Sequence, residues 1–287
     1  MFRDIAVFIE IFPYAIGVGM GIAIVCALLG VFVVLKRVVF ISVALTQSAA
    51  AGIAAAFVLG APPMFGAALF SLLVVTLLAY PYETRRVPRD AVLGAVFVFC
   101  SAFSILIVSK SAFGLTEVQA LLYGDLIVAS PRDFRIISLT LGAVFIGLLI
   151  FLRPILFTFL DRDQALVMGL RVRVWELVFF YLLGVVVSAA SQAGGALLVF
   201  CYLTVPAMVS LLLANRIWTT MVLSVVVACT ATLFGLYFAF ATDLPGNQTI
   251  IMVHCLALAL AGVARIAIPL GKRVRHRMDE YRNLHNP

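Results

Sequence analysis

Charge is scarce in this sequence. Asp, Glu, Lys and Arg make up 11% of the 287 residues, hydrophobic residues 64%, and the mean hydropathy is +1.19. A water-soluble domain carries roughly a quarter of its residues charged, so a soluble enzyme or binding module is excluded. Catalytic signatures are missing as well. There is no GxxxxGK[ST], so the chain does not hydrolyse ATP through a P-loop. Its Gly271-Lys272 pair stands in a basic tail without the preceding glycine, and no HExxH occurs. Leu122-Tyr123-Gly124-Asp125 lacks the second aspartate motif that an intramembrane protease needs. The three histidines (His254, His276, His285) are not at metal-ligand spacing. Cys26, Cys100, Cys201, Cys229 and Cys255 form no CxxC pair and fall inside apolar runs, where cysteine serves as a small packing residue. No catalytic residue and no bound cofactor are expected.

What the sequence has is apolar runs of about 20 residues, the length a helix needs to cross a hydrocarbon core. The ten-residue alternation of an outer-membrane barrel is absent. In lipid only helices or closed barrels satisfy their own backbone, so the expectation is an all-α, polytopic transmembrane bundle, one domain over residues 1–287. The spans fall at about Tyr14–Leu35, Ser42–Leu59, Phe65–Tyr80, Ala91–Val108, Ile136–Leu152, Leu177–Ala193, Ala196–Ala214, Met221–Phe240 and Ile250–Leu270. That is eight to nine crossings. The first run is too long and lacks the small-x-small site of a cleaved signal, so it stays as a span. Met1–Phe12 is read as a short surface helix, Ser111–Asp133 as a re-entrant or surface helix, Phe159–Arg173 as a polar loop, and 271–287 as a basic tail.

The net charge of +7 is spread in short clusters between spans, a topology signal rather than a nucleic-acid face. Placing Lys36-Arg37 inside also places Arg85, Arg86, Arg89, Arg153, Arg162, Arg171, Arg173, Arg216 and the tail inside. Arg3, Lys110, Arg132 and Arg135 are left outside. The N-terminus is therefore expected outside and the C-terminus in the cytoplasm. Small residues at Gly17–Gly21 and Ser48–Ala56 mark faces where helices pack backbone to backbone. Gln192, Tyr202 and His254 are polar groups within spans, lining a path or hydrogen-bonding between helices. Asp243 sits beside Pro245 and Gly246, placed to cap the next helix or to receive a cation. Asn247-Gln248-Thr249 fits a glycosylation pattern but lies in a tight turn.

Four segments together resemble the ABC-3 family of metal-importing ABC permeases. They are Gly30–Arg37 with Ala44-Leu45 and Ala49–Gly52; Leu121–Val128; Asp161–Leu170; and Gly195–Val199 with Pro206-Ala207, completed by Asp243–Gly246 and Thr249–Ile251. The resemblance implies a type II importer-like permease fold in a bacterial inner membrane, moving zinc, manganese or iron. It implies partners too: two ATPase subunits that consume the ATP, a periplasmic or lipid-anchored metal-binding protein, and a second permease, identical or paralogous. Membrane lipid would surround it, and no nucleic acid is involved. Phe159–Arg173 would then be the coupling segment that meets the ATPase. Within it Asp161 or Asp163 would open a short helix, Ala165 and Leu170 match the family loop, and Gly169 would end the helix.

One departure stands out. Where the family usually carries Asp and, four residues later, His, this chain has Val43 and Gln47. Valine cannot coordinate a metal, and glutamine offers a neutral oxygen. A paralogous permease carrying the ligands, a metal moved as a complex, and an apolar gate each accommodate this. Two rival readings are a secondary transporter and a non-transporting membrane subunit. The first usually needs ionisable residues at mid-membrane, and the span centres hold no Asp, Glu, Lys or Arg.

Overall fold

The computed structural model describes residues 10, 12–79, 89–109, 126, 130–160 and 162–285. Among them nine helices follow one another: α1 Pro13–Leu35, α2 Val39–Leu59, α3 Pro63–Ala79, α4 Arg89–Ser109, α5 Pro131–Leu160, α6 Arg162–Val167, α7 Val172–Leu213, α8 Ile217–Thr242 and α9 Gly246–His285. Seven are long and apolar enough to cross a membrane, and Pro63–Leu77 is a shorter apolar helix. Large apolar side chains face outward as freely as inward, Leu73, Leu139 and Phe234 among them, which suits lipid on one side and protein on the other. The surface helix expected at Met1–Phe12 lies mostly outside the described residues. So does Ser111–Asp133, save Leu126, Ser130 and the first turn of α5.

The long helix α7 is two passes, not one. Gly195 has φ 70° and ψ 164° within it, and every other residue is helical. The direction of each half can be read against α1. Phe179 packs its ring on Phe32, at a centroid distance of 5.8 Å, while the backbone of Leu203 lies against Gly30. Phe179 and Leu203 are 24 residues apart, about 36 Å along a straight helix, yet their partners on α1 are two residues apart. The chain therefore turns back at Gly195, and Val172–Gly194 and Ala196–Leu213 run antiparallel. With this division and the Pro63–Leu77 helix, nine passes result, as the sequence predicts.

The bundle has two ends. At one lie Lys36, paired with Glu176, and Phe159, which packs on Phe32. At the other, Phe12 meets Phe240 and Tyr14 meets Phe134. Several side-chain hydroxyls within the spans return to their own helix: Ser42 donates to Val39 O (2.6 Å), Ser48 to Leu45 O (2.8 Å) and Ser188 to Gly184 O (2.6 Å), whereas Ser224 reaches across to Ala27 O of α1 (3.2 Å). The small-residue stretch of α2 does pack tightly, with Gly52 directly on the backbone of Gly66 in α3. The fifth span is longer than expected. It passes Arg153-Pro154 and ends at Leu160, because Ile155, Leu156 and Phe159 still bury against the core and tertiary packing outweighs the proline.

The conformation of Gly195 is open essentially to glycine alone, and forcing another residue into it costs about 1–3 kcal/mol. Gly195→Ala is expected to lower the melting temperature of the detergent-solubilised protein. An unchanged melting curve would show that the break tolerates a side chain.

Candidate functional site

Helix α2 is buried from Ile41 to Ala56 except at two positions, and it opens at both ends, at Val39-Phe40 and at Phe57–Leu59. Ile41, Ser42, Ala44, Leu45 and Thr46 are buried, as is every residue from Ser48 to Ala56. Phe40, Val43 and Gln47 are not: Phe40 is 57% exposed, and Val43 and Gln47 are half-buried. Spacings of three and four place them on one stripe of the helix, and that stripe faces out of the subunit. Gln47 Oε1 is itself covered and has no hydrogen-bond partner. An amide oxygen left dry in this way is a free acceptor on an otherwise apolar strip. Among the described residues no group of three His, Cys, Asp or Glu is placed to hold a metal ion.

Tyr202 and His254 are brought together elsewhere, inside the subunit. Their rings meet edge to face at 5.2 Å and 86°, and both are fully buried. Thr232 gives its hydroxyl proton to Ala228 O (2.7 Å), so at 2.7 Å from Thr232 Oγ1 the Tyr202 hydroxyl is the donor. His254 Nδ1 is 2.9 Å from Ile250 O, and a carbonyl only accepts, so Nδ1 carries the proton. Nε2 is left as a buried acceptor without a partner. Gln192 lies three residues before the Gly195 break, its Oε1 also without a partner. It is thus near the Phe12 end, whereas Gln47, eight residues into α2, is nearer the Lys36 end.

The break itself is held by a residue that the sequence marks only as part of a glycosylation pattern. Asn247, in the first turn of α9, is 2% exposed. Its Oδ1 accepts from the Leu126 N–H (3.3 Å), and its Nδ2 donates to Gly194 O (3.0 Å). One amide thereby ties α7, α9 and Leu126 together, and its burial is incompatible with carrying a glycan. The signal was present in the sequence, as a polar amide directly after Pro245-Gly246 at the start of an apolar run. Asp243 closes the preceding helix rather than opening the next. It takes a left-handed conformation (φ 52°) as the C-cap of α8, its N–H bonded to Ala239 O, and its side chain is exposed.

At the Lys36 end, α6 is a short helix hung between α5 and α7. Asp163 is in its first turn, while Asp161 lies outside the described residues. Gly169 ends it as expected. Its φ is 75°, its N–H bonds Leu166 O, and the Leu170 N–H bonds Ala165 O, both at 3.0 Å. This is the paired closure of a Schellman turn. Ala165 is buried and anchors the helix from within. Leu166, Val167 and Met168, by contrast, are 55%, 88% and 61% exposed. Three adjoining apolar side chains at a bundle end, flanked by exposed Arg171 and Arg173, form a surface suited to a protein partner.

Residues 9–265 match the profile of the ABC 3 transport family. The chain belongs to that family. Members are membrane components of transporters, not enzymes. The chain is 27% identical over 237 residues to the probable iron transport system membrane protein of Haemophilus influenzae, covering 83% of this chain and 84% of that protein. It is 25% identical over 241 residues to the manganese transport system membrane protein MntC of Halalkalibacterium halodurans, covering 84% and 82%. The ABC 3 fold is recognisable in three dimensions too. The structure of PsaBC from Streptococcus pneumoniae in complex with Fab superposes with a TM-score of 0.81 at 24% identity, covering 90% of this chain and 95% of that one.

Removing the Asn247 side chain leaves a buried carbonyl and a buried N–H unpaired, a loss of about 1–3 kcal/mol for each group. Asn247→Ala is expected to lower the thermal unfolding midpoint by several degrees, and Asn247→Asp, which sets a buried carboxylate oxygen against Gly194 O, by at least as much. An unchanged midpoint in Asn247→Ala would argue against the two-sided amide bridge.

Proposed function

We propose that this chain is the membrane-spanning permease subunit of an ATP-driven importer of divalent transition-metal ions. The observation that carries this reading is the pairing of two features in a chain of the ABC 3 transport family. One is the open stripe Phe40–Val43–Gln47 along the first half of α2, which is buried from Ile41 to Ala56 apart from Val43 and Gln47, and the other is the apolar tip Leu166–Val167–Met168 at the bundle end nearer that stripe. The stripe faces out of the subunit, so a passage forms when a second permease subunit, identical or paralogous, closes it from the other side. The tip fits the groove of an ATPase, and two ATPase subunits would supply the energy from ATP that this chain does not bind. A periplasmic or lipid-anchored binding protein would deliver the ion at the Phe12 end.

The described basic residues support the orientation. Lys36, Arg37, Arg153, Arg171, Arg173 and Arg216 gather toward the Lys36 end, against Arg132 and Arg135 at the other. Positive residues favour the cytoplasm, so on this reading the Lys36 end faces inward, the start of α1 lies outside, and nine passes bring the end of α9 inside. Manganese and iron are the metals in the names of the relatives above, and both are the substrates to test first. Val43 and Gln47 supply one neutral oxygen and no charge, so on this stripe the cation is passed rather than gripped. Interior Gln192, Tyr202 and His254 would act from behind this wall, Gln192 nearest the entry, with Asp243 exposed at the same end.

The test is accumulation of radioactive manganese(II), iron(II) and zinc(II) in a bacterium lacking its own metal importers. Cells would express this chain with its ATPase and binding protein, beside a strain whose ATPase cannot hydrolyse ATP. ATPase-dependent uptake of one metal is the expected result; no uptake of any by an assembled complex would overturn the reading. A companion prediction concerns the tip. Leu166→Glu with Met168→Glu should abolish co-purification of the ATPase while leaving the permease's melting temperature unchanged. Retained co-purification would place the docking surface elsewhere.

A further inference from the structure

Lys36-Arg37 reads from sequence as a topology signal, but the structure gives Lys36 a more specific position. We propose that Lys36 is the positioning residue through which movement of α6 reaches the pathway helix α2, an inference that rests on the permease reading above. Lys36 is the C-cap of α1. Arg37 follows in a left-handed conformation (φ 57°), and α2 begins at Val39. The turn is closed by bonds of 3.0 Å from Arg37 N–H to Val34 O and from Val38 N–H to Val33 O. A turn this short and this fully bonded cannot absorb a displacement. A shift of Lys36 is therefore handed to α2, whose first open positions are Phe40, Val43 and Gln47.

The other side of the link is equally short. Helix α6 is strung between the end of α5 and the start of α7, and Lys36 touches both of those anchors. Its Nζ is 3.0 Å from Glu176 Oε1, in the second turn of α7. It also stands 5.0 Å from the ring centroid of Phe159, three residues before α6. Beneath it, the rings of Phe32, Phe159 and Phe179 lie within 5.9 Å of one another and bind the bases of α1, α5 and α7 into one unit. Lys36 and Glu176 are about a quarter exposed, so their attraction is directional and can break and re-form. Coupling of this sort needs a link that follows one element and pulls another. The described contacts place Lys36 between the partner-facing tip and the stripe.

A topology signal and a relay differ in what they require. A topology signal needs the positive charge, and a relay needs the pair. Glu176→Gln keeps Lys36 and breaks the pair; Lys36→Met removes both. Each variant would be co-purified with the ATPase, reconstituted in proteoliposomes with the binding protein, and assayed for ATP hydrolysis and for uptake of manganese(II) and iron(II) tracer. The expected result is an assembled complex that hydrolyses ATP within about twofold of the natural chain while uptake falls about tenfold, a coupling loss of ordinary size. The exchanged pair, Lys36→Glu with Glu176→Lys, should recover uptake above either single variant. Unchanged uptake in Glu176→Gln overturns the relay. So do hydrolysis and uptake falling in proportion, loss of assembly in both single variants, and failure of the exchanged pair to recover. If the natural complex itself takes up neither tracer, it is the metal-permease reading that falls first, and the relay falls with it.

Discussion

A bilayer offers no water to a peptide group, and the architecture of this protein follows from that constraint. Each crossing must pair its own N–H and C=O groups, so the chain is helical wherever it meets lipid. Hydroxyls such as those of Ser42, Ser48 and Ser188 are silenced by bonding back to their own helix. The constraint is hardest to meet where a helix is interrupted. At Gly195 the chain breaks its ladder within a buried setting, and the amide of Asn247 is there to pair with Gly194 O. The same rule makes the unpartnered Gln47 Oε1 and His254 Nε2 conspicuous, since each is an acceptor kept dry at a cost.

Much of the fold was legible in the sequence, for a physical reason. Span length is fixed by membrane thickness, so apolar runs count crossings directly, and even the division of α7 could be placed at Gly194-Gly195. The end of the fifth span was misplaced because Arg153 and Pro154 are local signals, whereas the burial of Ile155, Leu156 and Phe159 is decided by neighbours distant in sequence. Gly169 was legible because a left-handed helix end favours one residue type. The bridging role of Asn247 was hidden because its partners, Gly194 and Leu126, are 53 and 121 residues away. The pairing of Lys36 with Glu176 was hidden for the same reason.

The candidate site divides between an open stripe and a closed interior. Val43 and Gln47 could be named from sequence through the family resemblance, but only the packing reveals that they share the open edge of α2 with Phe40. Tyr202 and His254, polar groups of similar promise, prove to be packed against each other and bonded within the bundle. A single subunit thus leaves Gln47 on an open stripe and keeps its buried imidazole, His254, away from it.

The reversal at Gly195 has a consequence for how the protein meets its surroundings. Two crossings are joined there without a connecting loop, so at that point the bundle presents no strand of chain long enough to be cut, bound or extended. Proteases, antibodies and phage tail proteins recognise protruding segments, and here there is none to seize. Insertions, the usual raw material from which a loop acquires a new task, are likewise shut out. This corner of the protein is consequently closed to changes of length, as it is at Gly195 and Asn247 to changes of side chain.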